Sequence, residues 1–236
     1  MTNNKKTYHL IRTNRRTLAI YIRDNGSVEV RAPKRMPVAE IEGFLNKKTR
    51  WITEHQQLVQ NSRIKKQHFK LNNGTNLLLL GNEVPLRMDS GLSKSTSFFL
   101  SLKEPCFCGP VDLSLSERKR EIGRAYKEYA ELFIPDRVNK YSKQTGWIPD
   151  KVRVGSAKTR WGSCSEKGSL NFSWVLIMAP LETIDYVVIH ELCHLSEFNH
   201  SKSFWNLVAQ YCPEYKRHQK ELKGLAKRIE DEGWLP

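Results

Sequence analysis

Residues 184–195 form an apolar stretch that carries two histidines and a glutamate, and it constrains the fold more than any other part of the chain. The sequence of residues 190–194 is His-Glu-Leu-Cys-His. In a helix, residues four apart lie on the same face, about 6 Å apart along the axis. Burying three ionisable side chains in an apolar helix is costly unless a partner satisfies them. The pattern therefore predicts a buried helix whose histidines share a metal ion.

A catalytic zinc site needs a third protein ligand and one open position. We expect His200 to be that ligand, and Glu197 and Glu214 are the alternatives. A continuous helix from His194 to His200 would not serve, because six residues add about 9 Å of rise and about 600° of rotation. The helix must end between them, and we expect Asn199 to be the stop because asparagine tolerates the left-handed conformation.

Glu191 lies beside the histidine pair without having to bind the ion, so we predict that it is the general base acting on metal-bound water. With His190, His194 and His200 as ligands, this arrangement predicts a zinc-dependent hydrolase. The same groups can attack a carbonyl or a phosphorus centre, so the motif does not choose between them. Ser201 is expected to cap the helix that follows.

Charge is distributed unevenly over the 236 residues, whose net charge is +14. Residues 1–70 contain 16 Lys and Arg against 5 Asp and Glu. This basic N-terminal region could attract nucleic acid, nucleotides or acidic proteins, or could simply be a solvated face. The sequence has no apolar run of membrane-spanning length and no secretory signal, so we expect no membrane partner and a cytoplasmic location.

The first half of the chain reads as β structure around a helix. Asn25-Gly26 predicts a hairpin, because both residues tolerate positive φ. One long helix is expected from Pro37 to about Val59, with its apolar stripe in the core. A second hairpin is predicted over residues 77–88, a strand over 98–102 and a loop over 105–110. In that loop Cys106 and Cys108 are interpreted as buried or loop thiols rather than as metal ligands.

The second half of the chain alternates helices and strands before the metal motif. Ser114 and Glu117 have capping-box spacing at the start of a helix that Pro135 should kink or interrupt and Gly146 should end. Strands are expected at 152–154 and 170–177. We therefore predict two domains, a basic β-rich region with one long helix over residues 1–110 and a metal-binding catalytic region over 111–236.

The chain resembles the YgjP-like metallopeptidase-domain family, a zincin-like group related to SprT-type proteins. The resemblance spans nearly the whole chain. The strings that carry it are Val28-Glu29-Val30-Arg31-Ala32-Pro33, Trp51-Ile52, Arg160-Trp161-Gly162-Ser163-Cys164, Leu170-Asn171, Ala179-Pro180, Ile184-Asp185-Tyr186-Val187-Val188, His190-Glu191-Leu192-Cys193-His194, Asn199-His200-Ser201 and Phe204-Trp205.

The resemblance implies an α+β fold, with a zincin-like metallopeptidase core and an N-terminal β-rich subdomain. It also implies Zn²⁺, with His190, His194 and His200 as ligands and Glu191 as the catalytic residue. The histidine spacing equals that of metzincins, but Glu197 stands where those enzymes have a glycine, so we do not assign the chain to them.

The resemblance leaves two questions open. One is the substrate, which is expected to be a peptide or, as members of the family suggest, a nucleoside triphosphate cleaved by pyrophosphatase chemistry; the SprT kinship also allows a DNA-associated role. The other is the segment 160–164. It either aligns the substrate, with Arg160 steadying an oxyanion or a phosphate, or is a structural turn. The predicted substrate-binding residues are Arg160, Trp161, Ser163 and Asn171, and Cys164 is expected to pack.

Overall fold

The computed structural model describes residues 8–157 and 159–235. Within them, backbone contacts separate two compact units, one ending at Phe69 and the other beginning at Lys70. The expected domain boundary after residue 110 stays a prediction, and the division between Phe69 and Lys70 was not anticipated from the sequence. Helices and sheets both contribute throughout, so the expected α+β class is confirmed.

The first unit contains a small sheet and two helices. Its elements are β1 (Tyr8–Thr13), β2 (Ala19–Ile22), β3 (Val28–Pro33), α1 (Val38–Lys47) and α2 (Thr49–His68). The strand order is β1-β3-β2, and β3 is parallel to β1 and antiparallel to β2. The predicted hairpin between β2 and β3 is confirmed, and its Gly26 has φ +81°. Val30 and Ala32 of β3 meet Ile41 and Leu45 of α1 in the core of this unit.

The single long helix predicted after Pro37 is wrong. The backbone of Lys48, at φ −105° and ψ 8°, separates α1 from α2. Trp51 and Leu58 were expected in the core but are 37% and 55% exposed. For Leu58 the reason is size: the 20 residues of α2 extend about 30 Å, whereas strands of four to six residues cover at most about 20 Å.

The second unit contains the remaining elements. They are β4 (Asn76–Leu79), β5 (Asn82–Asp89), β6 (Phe99–Ser101), β7 (Cys106–Pro110), α3 (Leu115–Thr145), β8 (Lys151–Gly155), β9 (Gly162–Cys164), β10 (Ser169–Ser173), a 3₁₀ helix (Trp174–Met178), α4 (Leu181–Cys193), α5 (Lys202–Tyr211) and α6 (Tyr215–Glu232). One sheet has the order β4-β5-β7-β6 and the other has the order β8-β10-β9. Among the residues that the structure describes, no helix has the length and apolar character to cross a membrane.

The predicted loop over residues 105–110 is wrong, because this segment contains the strand β7. β7 lies between β5 and β6, and its Phe107 is fully buried. Gly109 lies under the ring of Phe98, where a Cβ atom would come within 2.3 Å of the ring. The apolar Cys-Phe-Cys sequence thus fills an inner strand, although the flanking prolines favour a loop. The thiols of Cys106 and Cys108 are free, and Cys106 is buried as expected.

The long helix α3 begins and ends as the sequence predicts. Ser114 and Glu117 form the expected capping box, and Gly146 ends the helix in the left-handed conformation at φ +77°. The interruption predicted at Pro135 is wrong, since the helix is continuous over 31 residues. A proline inside a helix removes one backbone hydrogen bond, and the buried stripe that includes Ile134 and Val138 continues on both sides of it.

The sheet β8-β10-β9 lies beside α4, which carries the histidine motif. β10 is parallel to β8 and antiparallel to β9. The strand predicted over residues 170–177 ends at Ser173, and the Trp174–Met178 segment forms a buried 3₁₀ helix instead. Its five apolar side chains are all buried, so the segment lacks the alternation of buried and exposed residues that is typical of a half-buried strand.

An ion pair joins α3 to α4 near the start of the motif helix. Arg137 donates from Nε and Nη2 to the two carboxylate oxygens of Asp185, at 2.7 and 2.6 Å. The hydroxyl of Tyr141 donates to Asp185 Oδ2 at 2.8 Å. The side chains of Arg137 and Asp185 are only 14% and 12% exposed. This bidentate pair therefore fixes α4 against α3 about one and a half turns before His190.

Replacing Arg137 by methionine should lower the free energy of unfolding by about 3 kcal/mol, because the Asp185 carboxylate would stay buried without its cation. Urea unfolding of the two proteins measures this difference. Arg87→Met is the matched control, since the Arg87–Glu104 pair is 58% and 73% exposed, and solvent screening should leave it with little effect on the free energy of unfolding. Equal losses in the two variants would contradict the prediction.

Candidate metal centre

Three histidines converge at the end of α4. His190 lies in the last turn of α4, His194 follows its last residue, and His200 lies beyond the bend that leads to α5. One ring nitrogen from each residue can be chosen so that all three lie within 4.8 Å of one another. The ring centroids form a nearly equilateral triangle with sides of 5.0, 5.1 and 4.8 Å. The structure thus brings together the three side chains predicted as ligands.

The bend that returns His200 to the helix differs from the predicted one. α4 already ends at Cys193, and the amides of Leu195 and Glu197 donate to Leu192 and Cys193 in a closing turn. In the part of the chain that the structure describes, Asn199 is not among the residues with positive φ, so the expected left-handed stop is wrong.

Asn199 instead acts as an acceptor at the start of the next helix. Its backbone oxygen and its Oδ1 both accept from the Ser201 amide, at 2.8 and 3.2 Å. The Ser201 hydroxyl accepts from the Phe204 amide at 3.3 Å, so the predicted cap of α5 is confirmed. The side chains of Asn199 and Ser201 therefore stabilise the bend by accepting hydrogen bonds from backbone amides, and the bend needs no glycine.

The donor geometry fits a shared metal ion. The Nε2 atoms of His190 and His200 lie 3.1 Å apart, and two nitrogens bound tetrahedrally at about 2.05 Å would be roughly 3.3 Å apart. Nδ1 of His190 is buried and has no hydrogen-bond partner among the described residues. His194 Nδ1 lies 3.0 Å from the carbonyl oxygen of Glu197, to which it can donate while Nε2 stays free for an ion.

Burial favours the neutral, metal-binding form of the His190 and His194 imidazoles. It lowers the pKa of His190 to about 3, and the neighbouring His194 and His200 lower it further. Burial also lowers the pKa of His194, with His200 acting in the same direction and the hydrogen bond to the Glu197 carbonyl opposing it. A neutral imidazole keeps a lone pair for an ion.

Glu191 is buried between α4 and β9, with 5% of its surface exposed. Burial raises the pKa of its carboxyl to about 8, and the charge of Arg160 acts in the opposite direction. Gly162 of β9 lies directly against this side chain. A carboxyl with a pKa near neutrality can both accept and release a proton, which is what a general acid–base group requires.

Residues 16–225 match the profile of the YgjP-like metallopeptidase domain. The chain belongs to the YgjP-like metallopeptidase family. A search of solved structures aligned part of the chain with the metallopeptidase zymogen abylysin of Pyrococcus abyssi. That alignment has 24% sequence identity, covers 38% of this chain and 91% of abylysin, and has a TM-score of 0.36. No curated protein matched the chain.

The predicted substrate-binding residues of this YgjP-like protein lie on β9, on β10 and in the segment just before β9. Side chains alternate along a strand, so Ser163 points away from the face on which Gly162 meets Glu191. Asn171 is the cross-strand partner of Ser163 and shares its face. Arg160 is exposed, but its charge reaches Glu191. These three residues and Arg153 line a concave pocket of about 430 Å³.

Trp161 has a structural contact that the sequence did not indicate. Its backbone oxygen accepts from the Ser173 amide at 2.8 Å, which extends the β9–β10 pairing by one hydrogen bond.

Of the alternative ligands, Glu197 contributes its backbone carbonyl to His194, and Glu214 pairs with Arg217 at 2.9 Å. Neither carboxylate belongs to the histidine group among the described residues.

Sequence reasoning assigned no role to the aromatic residues around the histidines. The ring of Phe204 is fully buried and lies 4.9, 4.4 and 4.8 Å from the centroids of His190, His194 and His200. Trp205 lies 5.7 and 5.5 Å from His190 and His200. The sequence did contain a signal for this placement. Both aromatic residues follow the Ser201 cap by less than one and a half helical turns, so they face back toward the bend that carries His200.

His218 packs behind the motif helix. It is 4% exposed, and its Nδ1 lies 2.9 Å from the Thr183 hydroxyl and 3.2 Å from Glu221. Its ring stacks on Tyr186 at 5.8 Å, and Tyr186 meets His190 edge-on at 5.9 Å. This layer supports the ring of His190 from the side of α6.

Proposed function

We propose that this YgjP-like protein is a zinc metallopeptidase, with His190, His194 and His200 as the zinc ligands and Glu191 as the general base. The observation that carries the proposal is the combination of the histidine triangle with a buried carboxyl one residue after its first member. Three imidazoles match the ligand number and type of catalytic zinc sites, which keep one position open.

The side chains of the chain can be assigned to the steps of hydrolysis. Zinc bound at this position supplies a Lewis acid and lowers the pKa of water. Glu191 accepts a proton from the attacking water and later delivers it to the leaving group, for which its raised pKa is suited. The positive charge of Arg160 stabilises the negative charge that develops on the substrate. The rings of Phe204 and Trp205 exclude bulk water, which strengthens these electrostatic interactions.

The strand β9 favours an extended peptide as the substrate. In the sheet order β8-β10-β9 it is an edge strand, so within the described residues one side of its backbone is unpaired. An extended chain can add to such an edge by main-chain hydrogen bonds. Gly162 of β9 lies against Glu191, so a peptide aligned along β9 would pass close to the general base.

Removing the metal should abolish the activity of the protein. We expect a chelator to reduce casein hydrolysis to background, and one equivalent of zinc to restore it, because the imidazole cluster lacks the oxygen ligands of a magnesium site. The measurement is the rate of casein cleavage before treatment, after dialysis and after addition of metal. An equivalent of magnesium is the control and should restore little. Full turnover in the dialysed, metal-free protein would contradict the proposal.

A second candidate is a zinc-dependent hydrolase of nucleoside triphosphates. The observation that favours it is the pocket beside β8, β10 and β9, whose lining includes the two basic residues Arg153 and Arg160. Guanidinium groups bind phosphate in a bidentate manner. The same metal series assayed with a nucleoside triphosphate separates the candidates. Zinc-dependent release of pyrophosphate without casein cleavage would replace the peptidase proposal with this one.

A further inference from the structure

Gly162 faces the carboxylate of Glu191 across the gap between β9 and α4. A Cβ atom at Gly162 would lie 2.6 Å from Oε1, 2.7 Å from Cγ and 2.9 Å from Cδ of Glu191. Carbon atoms do not normally approach other heavy atoms so closely, since optimal contacts are at about 3.5–4.0 Å. The backbone of Gly162 does not have positive φ, so other residues could adopt its conformation. The side chain of Glu191 is therefore what excludes a larger residue here.

The elements on both sides of this gap are held in place. β9 is paired with β10 through Gly162 and Phe172, and the Trp161–Ser173 hydrogen bond of 2.8 Å continues that pairing. α4 is fixed to α3 by the Asp185 ion pair. Glu191 itself is 5% exposed, so its carboxylate cannot move into solvent without rearranging its neighbours.

We propose that Gly162 is a positioning residue, whose missing side chain forms the space that seats the Glu191 carboxylate beside the histidine cluster. This inference rests on the proposed function, in which Glu191 is the general base. It explains the glycine by contact with Glu191, rather than by the turn that the sequence suggested. It also predicts which glycine of this sheet can be replaced: among the described residues, a Cβ atom at Gly155 of β8 would have no neighbour within 4 Å, and Gly155 does not have positive φ.

The matched pair Gly162→Ala and Gly155→Ala tests the inference in the zinc-loaded protein. Gly162→Ala should lower kcat roughly a hundredfold, because a displacement of about 1 Å in a catalytic group costs that much. KM and bound zinc should stay within about twofold of wild type, since no ligand is touched. Gly155→Ala should leave kcat within about twofold. A crystal structure of Gly162→Ala should show the Glu191 carboxylate displaced.

A double-mutant cycle measured by Tm tests the inference without relying on activity. Gly162→Ala should lower Tm by roughly 5 °C when Glu191 is present, because the added carbon overpacks the gap. The same change should cost little in a Glu191→Ala background, where the space is empty. This comparison remains valid if Gly162→Ala alone folds poorly, since Gly162→Ala/Glu191→Ala should then fold.

Two results would overturn the inference and leave the proposed function standing. One is a kcat for Gly162→Ala equal to that of Gly155→Ala, with Glu191 unmoved. The other is an equal loss of Tm in both backgrounds, which would mean that the new carbon meets a different neighbour. Failure of the proposed function has a different signature, namely full turnover by Glu191→Gln.

Discussion

Replacement of Glu191 by glutamine should lower kcat about a thousandfold, which lies within the range for the loss of a general acid–base group. Glutamine has nearly the same shape and can fill the space against Gly162, but its amide cannot accept a proton. Because Glu191 is not one of the three proposed ligands, the variant should retain one equivalent of zinc. Steady-state hydrolysis and metal analysis of the same preparation measure both quantities.

Glu182→Gln is the control for this experiment. Glu182 lies on the same helix in its first turn and is exposed, so the control makes the same carboxyl-to-amide change far from the histidines. It should leave kcat within about twofold, as expected for a surface substitution away from the site. If Glu191→Gln hydrolyses its substrate as fast as Glu182→Gln, the general base must be another group or the activity must come from another protein.

Replacement of His194 by alanine should remove the bound zinc. We expect a loss of zinc affinity of more than about a hundredfold, since loss of a residue that merely orients a ligand already costs 10–100-fold. His194 is the strictest test among the three histidines because it is buried and its ring is oriented by the Glu197 carbonyl. The measurement is metal content after dialysis against zinc-free buffer, and activity should be lost in parallel.

His9→Ala is the matched control for His194→Ala. His9 is an exposed histidine of β1 in the first unit, so its removal tests for nonspecific zinc on surface imidazoles. It should leave one equivalent of zinc bound. A full equivalent of zinc remaining in His194→Ala would reject the ligand assignment.

Helical periodicity and helix-end chemistry explain why so much of the site could be predicted from the sequence. His190 and His194 share a face because they are four residues apart, and the need to return His200 required a bend. The cap at Ser201 and the end of α3 at Gly146 follow from local hydrogen bonding and backbone freedom. These features depend on residues close together in sequence, so local rules suffice for them.

The errors arose where distant contacts decide the structure. β7 is an inner strand because β5 and β6 pair with it on both sides. The residues next to the buried Phe107 in the sequence do not indicate that these two strands pair with it. Leu58 is exposed because the facing sheet is short, which its own helical pattern does not reveal. The contact of Gly162 with Glu191 joins residues 29 positions apart in sequence. Tertiary packing overrides local preference in each case.

The position of the bend between α4 and α5 gives the ion a mechanical role in addition to its chemical one. His190 and His194 lie before the turn and His200 lies after it. A metal held by all three would fasten the two chain segments together, much as a covalent cross-link would. Its binding energy would then also contribute to folding. Loss of the ion would therefore loosen the start of α5, and with it the Phe204 ring that packs against all three imidazoles.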